Sequence, residues 1–220
     1  MSNVRFIGDI HCNYNEYLDV AKRSIEPTVQ VGDFGMGFYS YKDAKMNEWL
    51  QENPKHRFIR GNHDNLNTCL TSPGFIKDGL IENNIMYVGG AWSIDRAHRV
   101  EGQSWWADEE LSSRELYDTH NVYNVTQPEI MVTHDCPLSV SEELFIKRGK
   151  AIGKDVIPTR TGQAFEAMFS VHQPKIWIFG HWHHNRIEAI NGTIFICLTE
   201  MNDIVIDTDT ATIIGGINAN

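Results

Sequence analysis

Short apolar runs that end abruptly in polar residues recur along the chain, and they predict the strands of a sheet. "VRFI", "TVQV" and "HRFI" come first, and "IMYV", "EIMV" and "KIWIF" follow after residue 80. Such runs are largely apolar without alternation, which is typical of strands that are covered on both faces. The last three stop at a glycine or a threonine, before polar residues.

Segments with helical periodicity separate these runs. Apolar residues at Tyr17, Leu18, Ala21 and Ile25 predict a helix over residues 14 to 25. A second helix is predicted over residues 42 to 52, because Pro54 follows it. Strands that alternate with helices favour parallel pairing, so the sequence predicts an α/β fold.

The pattern changes after residue 185. "RIEAI" and "TIFICL" flank Asn191-Gly192, a dipeptide favoured in two-residue hairpins, and "DIVIDTDTATIIGG" predicts a further antiparallel pair. Residues 92–128 show neither period and predict an irregular insertion rich in Trp, Glu and Ser. No repeat or linker interrupts the chain, so we expect one domain over residues 1–220.

Composition and charge exclude several classes of protein. An apolar fraction of 41% with six tryptophans favours a folded globule. No apolar run approaches the roughly 20 residues that span a bilayer, and the start "MSNVRFIGDIH" lacks a signal peptide, so we expect a cytoplasmic protein without a membrane partner. The four cysteines form no CxxC pair and are expected to be reduced. A net charge of −10 argues against a nucleic-acid partner, but bound metals can still attract an anionic substrate.

The polar residues at the strand ends are of the types that bind transition metals. They are Asp9 and His11 in "GDIH", Asp33 in "VGD", Asn62, His63 and Asp64 in "GNHD", His134 in "THD", and His181 and His183 in "GHWH". Ligands of α/β sheets bind beyond the carboxyl ends of the strands, so we expect these side chains to meet. Each has an ordinary alternative when taken alone, as a helix cap or a hydrogen-bonded polar residue.

Together these side chains provide enough ligands for two ions. One set is Asp9, His11 and His183, the second set is Asn62, His134 and His181, and Asp33 bridges the two. In an extended segment, His181 and His183 project to one side and Trp182 to the other, with His184 outside the ligand set. Mixed nitrogen and oxygen ligands favour Mn, Fe or Zn over Mg or Ca, and we favour manganese.

The ordered series GDIH, GD, GNHD, THD and GHWH, which covers most of the chain, resembles the calcineurin-like metallophosphoesterase superfamily, in particular its small bacterial and phage members. The resemblance implies a two-sheet β-sandwich flanked by helices, with a two-metal centre on the loops at the sheet ends. It assigns the same ligands and makes His63 the catalytic acid, which Asp64 is expected to orient. It also implies hydrolysis of a phosphomonoester or phosphodiester, and we expect a small nucleotide-like substrate.

Departures from the family pattern weaken one alternative. Phosphoprotein phosphatases carry a second Asp and an Arg after the block that here reads "GDFGMGF", and a Glu where Asp64 stands. A serine/threonine-type protein phosphatase is therefore a weaker hypothesis, and a catalytically silent scaffold is weaker because no ligand is missing. The substrate contacts stay open. Arg96 and Arg99 can bind a second phosphate, while Trp105 and Trp106 either stack on a base or pack the insertion.

Overall fold

Two β-sheets pack face to face at the centre of the protein, in a computed structural model that describes residues 3–147 and 158–216. Within those residues the first sheet contains five strands, β1 (Asn3–Ile7), β2 (Thr28–Gln30), β3 (His56–Phe58), β10 (Asp203–Asp207) and β11 (Thr212–Gly216). Their spatial order is β11-β10-β1-β2-β3.

The second sheet has six strands within the described residues. They are β4 (Leu80–Glu82), β5 (Ile85–Val88), β6 (Ile130–Thr133), β7 (Ile176–Phe179), β8 (Arg186–Ile190) and β9 (Thr193–Cys197), in the order β4-β5-β6-β7-β9-β8. Strands β1, β2 and β3 pair in parallel, as do β5, β6, β7 and β9, which agrees with the prediction. The strands after residue 185 include the expected antiparallel pairs β8–β9 and β10–β11, and β10 also pairs antiparallel with β1. At the predicted hairpin turn, Asn191 and Gly192 have φ values of 49° and 88°, as a type I′ turn requires.

Helices cover the outer face of each sheet, which confirms the expected sandwich. Those on the first sheet are α1 (Tyr14–Arg23), α2 (Ser40–Glu52) and α3 (Leu66–Leu70). Those on the second sheet are α4 (Ser113–Thr126), α5 (Leu138–Ser141), which continues as a π-helical turn (Glu142–Ile146), and α6 (Arg160–Val171).

Strand β7 shows why the apolar runs lack alternation. Ile176 and Ile178 belong to the buried cluster between the sheets, whereas Trp177 and Phe179 belong to the cluster under the helices. Successive side chains point to opposite faces of a strand, and both faces are covered here. All four positions are therefore apolar, and the polar residues of this strand begin where it leaves the sheets.

The segment 92–128 differs from the predicted irregular insertion. Its first part is irregular apart from a 3-10 turn at Arg96–His98, but its second part is α4, the crossover helix between the parallel strands β5 and β6. A capping box formed by Ser112 and Glu115 starts the helix. Only Leu116, Thr119 and Tyr123 are buried along its length, so its apolar period is too weak to read from the sequence.

Candidate metal centre and its cleft

The predicted site residues meet in one cleft at the carboxyl ends of the parallel strands. The cleft has a volume of about 880 Å³ and is lined by His11, Asp33, Asn62, His63, His181 and His183, among others. Asp9, Asp64 and His134 lie beneath its floor with at most 1% of each residue exposed. The structure thus brings together side chains from five loops that are far apart in the sequence.

Four of these residues form a group that can hold a metal ion. Asp9, His11, Asp33 and His183 each offer one ligand atom, and these atoms lie within 4.8 Å of one another. The Nε2 atom of His183 is 3.2 Å from His11 Nε2 and 3.3 Å from Asp9 Oδ2. Ligands placed tetrahedrally around one transition-metal ion are separated by about 3.3 Å, so this spacing fits a shared ion.

A second group converges on His134. Its Nδ1 atom is 2.9 Å from the carbonyl oxygen of Val31, which only accepts, so Nδ1 carries a proton. Its Nε2 atom lies 3.1 Å from Asn62 Oδ1 and 3.2 Å from Asp33 Oδ1. In the neutral ring, three lone pairs therefore face one another and repel unless a proton or a metal ion lies between them.

The electrostatics of His134 point to the same need for a cation. Burial lowers the pKa of His134, but the adjacent Asp33 carboxylate outweighs burial and raises that pKa to about 10. The ring of His181 lies 5.2 Å from the ring of His134, and burial lowers the pKa of His181. His181 is therefore neutral, which is the form that binds metals. The donor set around His134 fits a metal ion.

The backbone of the site is coiled where we expected an extended segment. His181 and His183 have φ values of 64° and 52°, so the prediction of an extended "HWH" was wrong. His11 and Asp33 also have positive φ, at 44° and 57°. His and Asp enter this left-handed region more readily than most residues, and such conformations concentrate at functional sites.

Two other parts of the "HWHH" segment pack against the second sheet. Trp182 stacks on Phe145 with ring centroids 4.6 Å apart, and its Nε1 donates to Asp135 Oδ1 at 2.9 Å. His184 stacks on the same phenyl ring at 5.9 Å and lines the cleft. These contacts fix the loop that carries His181 and His183.

Asp64 does not orient His63, in contrast to the expectation. Its carboxylate accepts hydrogen bonds from the backbone N–H groups of residues 34–36 and of Gly61, at 2.6–3.0 Å. Within the described residues, His63 Nδ1 has no hydrogen-bond partner. Asp64 therefore ties the loop after β2 to the loop after β3, which places Asp33 beside Asn62.

We expect Asp64→Asn to lower the free energy of unfolding by about 2–4 kcal/mol. An amide offers one acceptor oxygen, and its NH2 group faces backbone donors that then lose their partner. Urea denaturation monitored by circular dichroism measures the change. Asp118→Asn is the control, because Asp118 forms an exposed pair with Arg114 and should change stability by about 0.5 kcal/mol or less. Equal stability of Asp64→Asn and the unaltered protein would contradict this role.

His63 faces an arginine. Its Nε2 atom is 3.2 Å from Arg99 Nη2, and its backbone N–H donates to Asp33 Oδ1 at 2.8 Å. Burial lowers the pKa of His63, Asp33 opposes this effect, and Arg99 adds to it. The histidine that the sequence identified as the acid thus has its ring in the cleft, with Arg99 as its charged neighbour.

Sequence reasoning missed three residues around the ligands. Glu200 Oε1 lies 3.3 Å from His183 Nδ1, and Ser93 Oγ accepts from Asn62 Nδ2 at 2.9 Å, which turns Asn62 Oδ1 toward His134. Glu200 follows β9 as the other ligand candidates follow their strands, so the same signal was present. Asp95, which binds Arg99, lies in the irregular segment and has no such signal.

The aromatic residues of the irregular segment divide between packing and the cleft. Trp106 is 7% exposed and packs edge-on against Phe38, with ring centroids 5.1 Å apart. Trp92 lines the cleft, and the Arg96 guanidinium lies 4.8 Å above its ring. Of the two alternatives for Trp106, packing is the one observed. The cysteines at the four positions are free thiols.

The Asp/His group at the carboxyl ends of the strands of this two-sheet α/β sandwich is suited to a metal-dependent hydrolase. The family model for calcineurin-like phosphoesterases matches residues 2–185. Because this match covers most of the chain, the chain belongs to the calcineurin-like phosphoesterase family. A comparison with curated proteins gives no match.

The solved structures that resemble this chain are distant from it in sequence. A putative 5′-nucleotidase of Staphylococcus aureus has a TM-score of 0.54 at 13% identity, over 98% of this chain and 53% of that chain. GAP50 of Plasmodium, the anchor in the inner membrane complex, has a TM-score of 0.50 at 9% identity, over 99% and 88%. Phosphopantetheinyl hydrolase of Mycobacterium tuberculosis has a TM-score of 0.47 at 13% identity, over 90% and 89%.

At these identities, the likeness to the Staphylococcus aureus and Plasmodium proteins shows the fold alone. The chain spans about half the length of the Staphylococcus aureus protein, as its 53% coverage states. Among residues 3–147 and 158–216, no helix combines the length and apolar composition needed to cross a membrane.

Proposed function

We propose that the protein is a two-metal phosphoesterase that hydrolyses a phosphomonoester or phosphodiester of a small, nucleotide-like compound. The observation that carries the proposal is the position of the Asp33 carboxylate, which is 1% exposed. Its Oδ1 atom lies 3.2 Å from His134 Nε2, and its Oδ2 atom lies 3.8 Å from His11 Nδ1. One buried carboxylate that faces two separate groups of ligands is the arrangement that a two-ion centre requires.

The two groups divide the predicted ligands into two sites. One ion would be held by Asp9, His11 and His183 and the other by Asn62, His134 and His181, with Asp33 shared between them. When bound, two divalent ions supply positive charge for phosphoryl oxygens and make water a nucleophile near neutral pH. Mixed nitrogen and oxygen ligands favour Mn, Fe or Zn, and manganese is our first choice.

The remaining side chains act on the substrate. His63 lines the cleft, and its protonated ring would donate a proton to the departing oxygen. Phe38, Tyr39 and Trp92 line another part of the cleft and offer an apolar wall to a planar group such as a nucleobase. The cleft volume of about 880 Å³ lies within the range of small-molecule sites. These features support a small phosphorylated substrate.

A metal-reconstitution experiment tests the proposed function. The protein is stripped with a chelator, reloaded with manganese, and assayed on a panel of phosphomonoesters and phosphodiesters that includes nucleotides. We expect two ions per chain by elemental analysis and hydrolysis that returns with the second ion. A protein that binds no metal, or that holds two ions and hydrolyses no member of the panel, would contradict the proposal.

We expect Glu200→Gln to weaken manganese binding by about 10-fold, the lower end of the effect of residues that orient metal ligands. A carboxylate that accepts from His183 Nδ1 directs the Nε2 lone pair of that ring toward the ion, and the glutamine lacks its charge. Calorimetric titration of the stripped protein measures the affinity. Glu48→Gln on α2, outside the cleft, serves as the control and should bind manganese normally. Unchanged affinity in Glu200→Gln would remove Glu200 from the site.

A further inference from the structure

Arg99 is held rigidly at the edge of the cleft. Its Nε atom donates to Asp95 Oδ1 at 2.7 Å, and its Nη2 atom is 2.6 Å from Asp95 Oδ2. Its Nη1 atom donates to the carbonyl oxygen of Ser104 at 3.3 Å. A two-point contact with a carboxylate fixes the plane of a guanidinium, so the direction of the remaining N–H groups is set before a substrate arrives.

A guanidinium only donates, so His63 Nε2 accepts from Arg99 in this structure, and a substrate oxygen that takes over this N–H lies beside the nitrogen that we propose as the proton donor. Arg99 Nη2 lies 3.2 Å from His63 Nε2. Among the described residues that line the cleft, Arg99 is the single arginine or lysine. Among those residues, Arg99 is therefore the permanently positive side chain that contacts a substrate beside His63.

This geometry places Arg99 on the leaving-group side. In the proposed function, His63 Nε2 faces the oxygen that departs from phosphorus. A group that lies within hydrogen-bond distance of that nitrogen contacts the departing oxygen or the atoms bonded to it. A guanidinium binds phosphate oxygens at two points and gains little from a neutral alcohol.

Resting on the proposed function, we propose that Arg99 selects substrates whose leaving group is itself a phosphate, such as the terminal phosphoanhydride of a nucleoside diphosphate. The oxygen of water forms the new bond to the terminal phosphorus, and the bond to the bridging oxygen breaks with its electron pair on the departing phosphate. One proton of the water passes through His63 or solvent to the products. Arg99 stabilises the negative charge of the leaving phosphate, and Asp95 is a positioning residue that holds Arg99.

The matched substrates ADP and AMP test this selection. They share a nucleoside and differ in whether phosphate or an alcohol leaves when the terminal phosphate is removed. We expect Arg99→Met to lower the ratio of kcat/KM for ADP to that for AMP by about 10–100-fold, the loss of a charge-assisted contact. Arg99→Lys should lower this ratio less than Arg99→Met does, because lysine keeps the charge but lacks the two-point geometry.

Three further variants separate the role of Arg99 in selection from a merely structural role. Asp95→Asn should lower the same ratio, and the double variant with Arg99→Met should lower it no further, because Asp95 acts through Arg99. Arg114→Met is the matched control, since Arg114 also pairs with an aspartate four residues away but lies exposed on α4. Its ratio should be unchanged. Manganese content should be normal in all of these variants.

An equal loss on ADP and AMP in Arg99→Met, or no loss on either, would overturn the proposal. If the manganese-loaded protein hydrolyses neither nucleotide, the proposed function is wrong for nucleotides. The role of Arg99 is then tested independently, by measuring binding. Calorimetry then compares α,β-methylene-ADP, whose bridging atom is carbon, with AMP. A loss of affinity in Arg99→Met that is at least about 10-fold larger for the methylene analogue supports the selection. Equal losses reject it.

Discussion

Replacing Asp33 with asparagine is expected to abolish metal occupancy and hydrolysis together. Asp33 faces both ligand groups, through Oδ1 toward His134 and Oδ2 toward His11. Asparagine removes the negative charge and turns an NH2 donor toward one of the two groups. Replacing a residue that only orients a metal ligand lowers metal affinity or activity by roughly 10–100-fold. Because Asp33 is proposed as a ligand itself, we expect a larger loss of kcat, on the order of 10³-fold or more.

Asparagine fits the backbone conformation at position 33, so the substitution changes the side chain without straining the fold. Asp33 has a φ of 57°, and asparagine adopts this left-handed region as readily as aspartate does. The fold should therefore persist, which circular dichroism checks while elemental analysis counts the ions. Asp118→Asn, on the exposed face of α4, controls for the loss of one charge. Two ions retained in Asp33→Asn, or activity within 10-fold of normal, would rule out Asp33 as the shared ligand.

Replacing His63 with alanine is expected to separate catalysis from metal binding. The variant should keep both ions, because the ligands all come from other residues. With an alkyl phosphate, whose leaving oxygen needs a proton, we expect kcat to fall by about 10²–10⁴-fold. With p-nitrophenyl phosphate the loss should be far smaller, because a phenolate with a pKa of about 7 departs without protonation.

The comparison of the two leaving groups is the decisive measurement. A plot of rate against leaving-group pKa should be steeper for His63→Ala than for the unaltered protein, since the missing acid matters most for the poorest leaving groups. His120→Ala on α4 controls for the loss of an imidazole away from the cleft. Parallel plots for His63→Ala and the unaltered protein would show that His63 binds substrate without transferring a proton. Loss of an ion in this variant would instead make it a ligand.

Particular residues show how far sequence reasoning reaches in this protein. The runs that became β1, β2, β3, β6 and β7 were visible because both of their faces are buried, and the metal-binding residue types stood directly after them. The residues that line the cleft floor could thus be named in advance. Helix α4 was missed for the opposite reason, because three buried residues along its length give almost no period.

The errors concern side-chain partners and backbone conformation. The sequence placed Asp64 beside His63, but side chains of neighbouring residues diverge, and the Asp64 carboxylate meets the N–H groups of the loop after β2 instead. His181 and His183 reach the site through left-handed backbone conformations, which no local sequence pattern predicts. The sequence named Arg99 as a candidate for binding a second phosphate, but no pattern indicated its contact with His63.

The sequence by itself determined the layered α/β fold and the set of residues at its rim. Strands that are buried on both faces must be apolar, so polar side chains begin where those strands end. Only the tertiary structure decided which atoms face one another, such as Asp33 between His134 and His11, Glu200 against His183, and Arg99 against His63. These contacts join loops from different strands, and their geometry depends on how the two sheets bring those loops together.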